Sequence, residues 1–122
     1  MACGVWGVVC IGVGGTPHEA VRAWQVEAGA TIYHERCSPC HGVDGKATTP
    51  MAQAMTPKPR DHTNGTYMNQ LSDAHIAAAI KNGGAAVGKS PMMPAQPDLS
   101  PQQIEDLVAF VCTLAVPPYR QQ

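Results

Sequence analysis

The chain has 122 residues, 8 of them basic and 9 acidic, which confines it to one ordinary domain and argues against a nucleic-acid or polybasic membrane surface. Its aromatic residues, Trp6, Trp24, Tyr33, Tyr67, Phe110 and Tyr119, are too few to fill a core. With 11 prolines and 12 glycines it reads as few helices joined by long loops, and a thin core of this kind needs a staple, metal or cofactor to pack on.

Met1 to Gly15 is apolar, rich in small residues and uncharged. It has the look of a secretory leader without its basic start, and it is too short and Gly-rich to span a bilayer well. Residues 1–22 are therefore expected to be an apolar leader or signal-peptide remnant, and 23–122 the folded domain. Thr16-Pro17-His18-Glu19 has the form of a capping box with proline at the first helical position, so a helix can begin as early as Pro17. Trp24, Ala28, Ile32 and Tyr33 recur at helical spacing and predict a buried face running into Cys37. Gly29 inside that helix costs about 1 kcal/mol relative to alanine, and it would permit close approach of another helix.

The helix leads into Cys37-Ser38-Pro39-Cys40-His41. A structural zinc site wants four N or S ligands, and Cys3, Cys10 and Cys112 form no second pair of this spacing. A thioredoxin-like redox pair wants a βαβ setting, whereas the surroundings are Ala- and Gly-rich with helical signals. Two thiols separated by two residues, each able to add across a porphyrin vinyl group, and an adjacent imidazole suit covalent attachment and ligation of one haem. Attachment of this kind implies an extracytoplasmic, in bacteria periplasmic, location.

Residues 42–71 read as loop with room for one helical turn. Ser72 then caps a helix with Ile76, Ala77 and Ile80 inward, ended by Gly83-Gly84. The loop from Gly83 to Leu99 contains Ser90-Pro91-Met92-Met93-Pro94. A thioether is soft enough for haem iron, and a methionine opposite a histidine raises the reduction potential. Met93 precedes a proline, which biases it toward an extended backbone, and is the first candidate for a sixth ligand. Met92 is the second, followed by His62, His75, Met51, Met55, Met68 or an open position.

The last helix has the strongest local signals. Ser100 is an N-cap, Pro101 suits the first position and Gln103 closes a capping box. Ile104, Leu107, Val108, Val111, Leu114 and Ala115 form an apolar stripe until Pro117-Pro118 stops the helix, with Cys112 beside it as a small core residue. Lys46, Lys58, Arg60, Lys81 and Lys89 outnumber Asp44, Asp61 and Asp73 between residues 44 and 93, predicting a mildly positive rim on the loop side. Glu105 and Asp106 predict an acidic far side.

Taken together, Gly29-x-x-x-Tyr33-x-x-x-Cys37-x-x-Cys40-His41-Gly42 followed by Asp44-Gly45, the Met93-Pro94 loop and the capped helix after it resemble the class I c-type cytochromes, specifically small bacterial mono-haem electron carriers. The likeness covers about Trp24 to Val116. It implies an all-α fold, three main helices and long loops wrapped around one covalently bound haem c. It further implies thioether bonds at Cys37 and Cys40, His41 as proximal iron ligand and Met93 as distal ligand. Gly29 and Tyr33 would meet the last helix near Phe110. The Pro50 carbonyl would accept from the His41 ring N–H, and Arg60, within Lys58-Pro59-Arg60-Asp61, would pair with a haem propionate.

The expected function is one-electron transfer between extracytoplasmic redox proteins that dock weakly at a haem edge, by a monomer without enzymatic chemistry, with Cys10 in Gly7-Val8-Val9-Cys10 leaving a lipid anchor open. Two other classes compete. A haem sensor or peroxidase-like domain would need an exchangeable sixth ligand, and a haem-free binding module would purify without the cofactor.

Overall fold

The computed structural model describes residues 17–117, with side chains of the first helix from Ala23 onward. The leader expected at the N-terminus and the capping box at Thr16 lie outside the described residues, apart from the backbone of 17–22. The chain runs through α1 (Pro17–Arg36), α2 (Ser38–His41), α3 (Pro50–Gln53), α4 (Gly65–Met68), α5 (Asp73–Asn82), a 3₁₀ turn at Ala85–Val87 and α6 (Pro101–Leu114). Helix α1 thus crosses the expected boundary between residues 22 and 23. The all-α class holds. Among the described residues, strand-like pairing is confined to an isolated bridge between Asn64 and Val116.

The main helix contact is α1 against α6, and Gly29 sets its closeness. A Cβ at Gly29 would collide with the Asp106 carbonyl oxygen and lie 2.9 Å from Phe110 Cβ. The Tyr33 and Phe110 rings meet one turn further on, with centroids 5.0 Å apart. Glycine is required at residue 29 by this backbone approach.

This approach turns α1 away from the face read in the sequence. Trp24 is 76% exposed and Ala28 is exposed, whereas Gly29 and Tyr33 are buried and Ile32 is half-buried. Periodicity alone could place the stripe on either side of Gly29. The tight contact selects the side that has no side chain at its centre. The same contact buries Asp106, expected on an acidic outer face, and its carboxylate accepts from Gln102 Nε2 at 2.9 Å. Glu105 beside it stays exposed.

Helix α6 forms as its local signals predict. Ser100 Oγ accepts from Gln103 N at 3.1 Å while Gln103 Oε1 accepts from Ser100 N at 2.9 Å, satisfying two otherwise orphaned amides. Ile104, Leu107, Val108, Val111 and Ala115 are buried, as is Cys112, whose sulfur is disulfide-bonded. Ser72 caps α5 by accepting from His75 N at 3.0 Å, and Ile76 and Ile80 add to the same core. Tyr33, Met68 and Leu99 join them from α1, α4 and the loop before α6.

The region 42–71 holds two one-turn helices rather than one, each with a side-chain cap from Thr49 or Asn64. Val116 N donates to Thr63 O at 2.8 Å and Gly65 N to Val116 O at 3.1 Å, so the chain leaving α6 pins the start of α4. No helix among the described residues is long and apolar enough to cross a membrane.

Candidate functional site

The motif at the end of α1 continues its helical hydrogen bonding. Cys37 N donates to Tyr33 O and His41 N to Cys37 O, both at 2.8 Å. Pro39 is tolerated because it falls in the first turn of α2, where an amide has no helical acceptor. Cys37 and Cys40 are half-buried free thiols on this turn. Burial pushes the Cys37 thiol up to about 11, so it is protonated at neutral pH. Cys40 Sγ lies 3.3 Å from Met51 Sδ.

Beyond His41 the chain reverses through Gly42 and Gly45, at φ +81° and +78°, conformations that glycine adopts without strain. Ala47 N then donates to His41 O at 2.8 Å. The Thr49 hydroxyl donates to Pro39 O at 2.9 Å and accepts from Ala52 N at 3.0 Å, tying α3 to the cysteine turn.

His41 is 7% exposed, and its Nδ1 lies 2.9 Å from the Arg60 carbonyl oxygen. A carbonyl can only accept, so Nδ1 carries the proton and Nε2 keeps its lone pair. Burial lowers the His41 pKa, partly offset by the Arg60 bond, and keeps the ring neutral. This is the tautomer in which Nε2 can bind a metal.

The acceptor differs from the one the resemblance implies. The Pro50 carbonyl instead accepts from Ala54 N at 3.2 Å, because Pro50 opens α3 and its carbonyl serves that turn. Arg60 enters the site through its backbone, while its guanidinium sits over the Tyr67 ring, 3.7 Å from the centroid.

His62 is the residue whose role sequence reasoning missed. Its ring stacks on His41 with centroids 4.1 Å apart and planes 16° from parallel. Its Nδ1 lies 2.9 Å from the Tyr33 hydroxyl, and its backbone N donates to Gly45 O at 2.8 Å. Burial, with His41 and Arg60 adding to it, pushes His62 down to about 3. Burial also raises the Tyr33 pKa, so a neutral phenol O–H faces a neutral imidazole and donates to its Nδ1. A ring lying on the His41 ring cannot also approach a metal from the side opposite His41, which removes His62 as a sixth ligand.

The other methionine and histidine candidates separate by burial. Met68 is 3% exposed within the apolar core, and Met51 is 53% exposed beside Cys40. Met92 is 49% exposed, whereas Met93 is half-buried. The Met93 backbone is held against Gly84, whose N donates to Met93 O at 3.0 Å, and Gln96 N donates to Ile80 O at 3.0 Å. Arg36 ties down the far end of this loop. Its guanidinium forks onto Asp98 at 2.8 and 2.6 Å and donates to Gln96 Oε1 at 2.9 Å.

A sequence profile of the cytochrome c family matches residues 26–115, from within α1 to the end of α6. The chain belongs to the cytochrome c family. As a class I c-type cytochrome it binds covalently attached haem c, and the donors present fit that group: two free thiols on one turn and a neutral imidazole with Nε2 available. Among solved structures, a reducing HAO-like protein complex of Kuenenia stuttgartiensis is similar to this cytochrome over 73% of its length, at 23% identity and a TM-score of 0.58. The chain spans 42% of that structure's chain, and at this identity the likeness speaks for the fold alone. No curated protein matches the sequence.

Proposed function

We propose that this cytochrome is a one-electron carrier whose haem iron is held between His41 and Met93, and which serves extracytoplasmic redox partners. Cys37 and Cys40 would form the thioether bonds, and His41 would supply the proximal nitrogen. The haem supplies a one-electron couple whose potential the axial ligands tune. The observation that carries the reading is the contrast between adjacent methionines, Met93 half-buried on a backbone held at Gly84, Met92 half-exposed.

The protein's own part is positioning. The Arg60 carbonyl keeps the proton of His41 on Nδ1, and the Gly84 and Arg36 contacts hold the methionine loop independently of any bond to the iron. Two protein ligands would leave no position for substrate, which favours electron transfer over chemistry at the metal. Lys46, Lys58, Lys81 and Lys89 are all exposed and could steer an acidic partner.

Exposure of the reduced, haem-loaded protein to carbon monoxide at neutral pH tests this reading. A stable methionine ligand resists displacement and leaves the spectrum unchanged. Rapid carbon monoxide binding would instead point to a sensor or peroxidase-like domain.

A further inference from the structure

The His41 ring is held at one edge by one hydrogen bond, Nδ1 to the Arg60 carbonyl at 2.9 Å. That bond and the Cβ–Cγ tether set the distance, the proton and the approximate plane, but a hydrogen bond tolerates angular departures of tens of degrees and leaves the tilt of the ring loosely set. A flat surface packed on the ring face would narrow it. His62 provides a flat surface 4.1 Å away and 16° from parallel, and it is itself held at two points: its amide to Gly45 O at 2.8 Å and its Nδ1 to Tyr33 Oη at 2.9 Å. Tyr33 is fully buried and packs on Phe110 at 5.0 Å, within the α1–α6 contact.

We propose that His62 is a positioning residue for the proximal ligand, fixing the plane of His41 by stacking while Tyr33 fixes the plane of His62. An aliphatic side chain could fill the same space without imposing an orientation. Residue 62 is an imidazole here because a ring that is both flat and hydrogen-bonded does both. The tilt of an axial imidazole governs its overlap with the iron and hence the reduction potential, so the α1–α6 contact would reach the metal through three side chains. The inference rests on His41 being the proximal ligand, and does not depend on what occupies the opposite side.

The test uses the haem-loaded protein from a host that attaches the cofactor, with wild type compared to His62→Ala, His62→Phe and Tyr33→Phe. Proton NMR of the oxidised form reads the haem-methyl shifts, which respond to the orientation of the proximal ring, and spectroelectrochemistry reads the potential. His62→Ala is expected to redistribute the methyl shifts and move the potential. His62→Phe, which keeps a ring but loses the Tyr33 bond, should change both by less, and Tyr33→Phe should match it. Wild-type methyl shifts and potential in His62→Ala would overturn the proposal. Where His62→Ala takes up no haem, matching changes in the two phenylalanine variants support it, and wild-type spectra in both overturn it. Carbon monoxide binding by the wild type would count against Met93 alone, so the two readings fail separately.

Discussion

Gly29 in α1 lies directly beneath the backbone carbonyl of Asp106 in α6, with no room between them for a Cβ. The obstacle is backbone, which cannot rotate aside as a side chain can. Replacing Gly29 with alanine must therefore separate the two helices and loosen the Tyr33–Phe110 contact.

Gly29→Ala is expected to lose about 3 kcal/mol, the upper part of the usual overpacking range, despite alanine's better helix propensity. Chemical denaturation of the haem-loaded variant checks this. Unchanged or raised stability would mean that the helices do not meet as described.

The two adjacent methionines give opposite expectations. Oxidised wild type should show the Met–Fe charge-transfer band in the far red, Met93→Ala should lose it, and Met92→Ala should keep it, because Met92 is 49% exposed and Met93 is turned further into the protein. Retention of the band in Met93→Ala would reverse the ligand assignment.

Covalent attachment is tested through mass. Under denaturing conditions the wild-type chain should carry the mass of one haem, and Cys37→Ala/Cys40→Ala should carry none. Each single variant should still retain it through the remaining sulfur. Haem retained by the denatured double variant would remove both cysteines from the site.

The Arg36–Asp98 pair predicts a narrow acid dependence. Hydrogen bonding to the Arg36 guanidinium holds the Asp98 carboxyl below its usual range. A carboxyl depressed on folding contributes stability that is complete above its unfolded pKa, about 3.9, and is lost as pH falls through the lower folded value. Both side chains reach solvent, at 33% and 63% exposure, so the contribution is small and weakens with salt. Thermal midpoints of wild type and Asp98→Asn should differ slightly at pH 6 and converge below the carboxyl range. A difference that persists at pH 2 would assign the effect to packing instead.

Salt should also slow the reaction with an acidic redox partner if the exposed lysines steer it. Stopped-flow rates across a range of ionic strength decide this, and flat rates would exclude steering by Lys46, Lys58, Lys81 and Lys89.

Much of this architecture was legible in the chain because it is local. The caps at Ser72 and Ser100 act within three residues, the Ile104–Ala115 stripe repeats within one helix, and Cys37, Cys40 and His41 share a single turn. The same reasoning placed Trp24 and Ala28 on the buried face of α1, where they are not, because periodicity counts apolar residues and overlooks the residue that lets another backbone approach.

The sequence by itself determined the Cys37–His41 turn, the three main helices and the cytochrome c family, since each depends on side chains near one another along the chain. Tertiary structure alone decided that the Arg60 carbonyl rather than Pro50 meets His41 Nδ1, that Asp106 is buried, and that His62 stacks on His41 with Tyr33 behind it. Those contacts join residues 19, 21 and 29 positions apart through loops rich in glycine and proline, for His41 with Arg60, His41 with His62 and Tyr33 with His62. No local preference specifies where such loops return. Only the packing of α1 on α6, and of the chain between them, brings these groups within hydrogen-bonding and stacking distance.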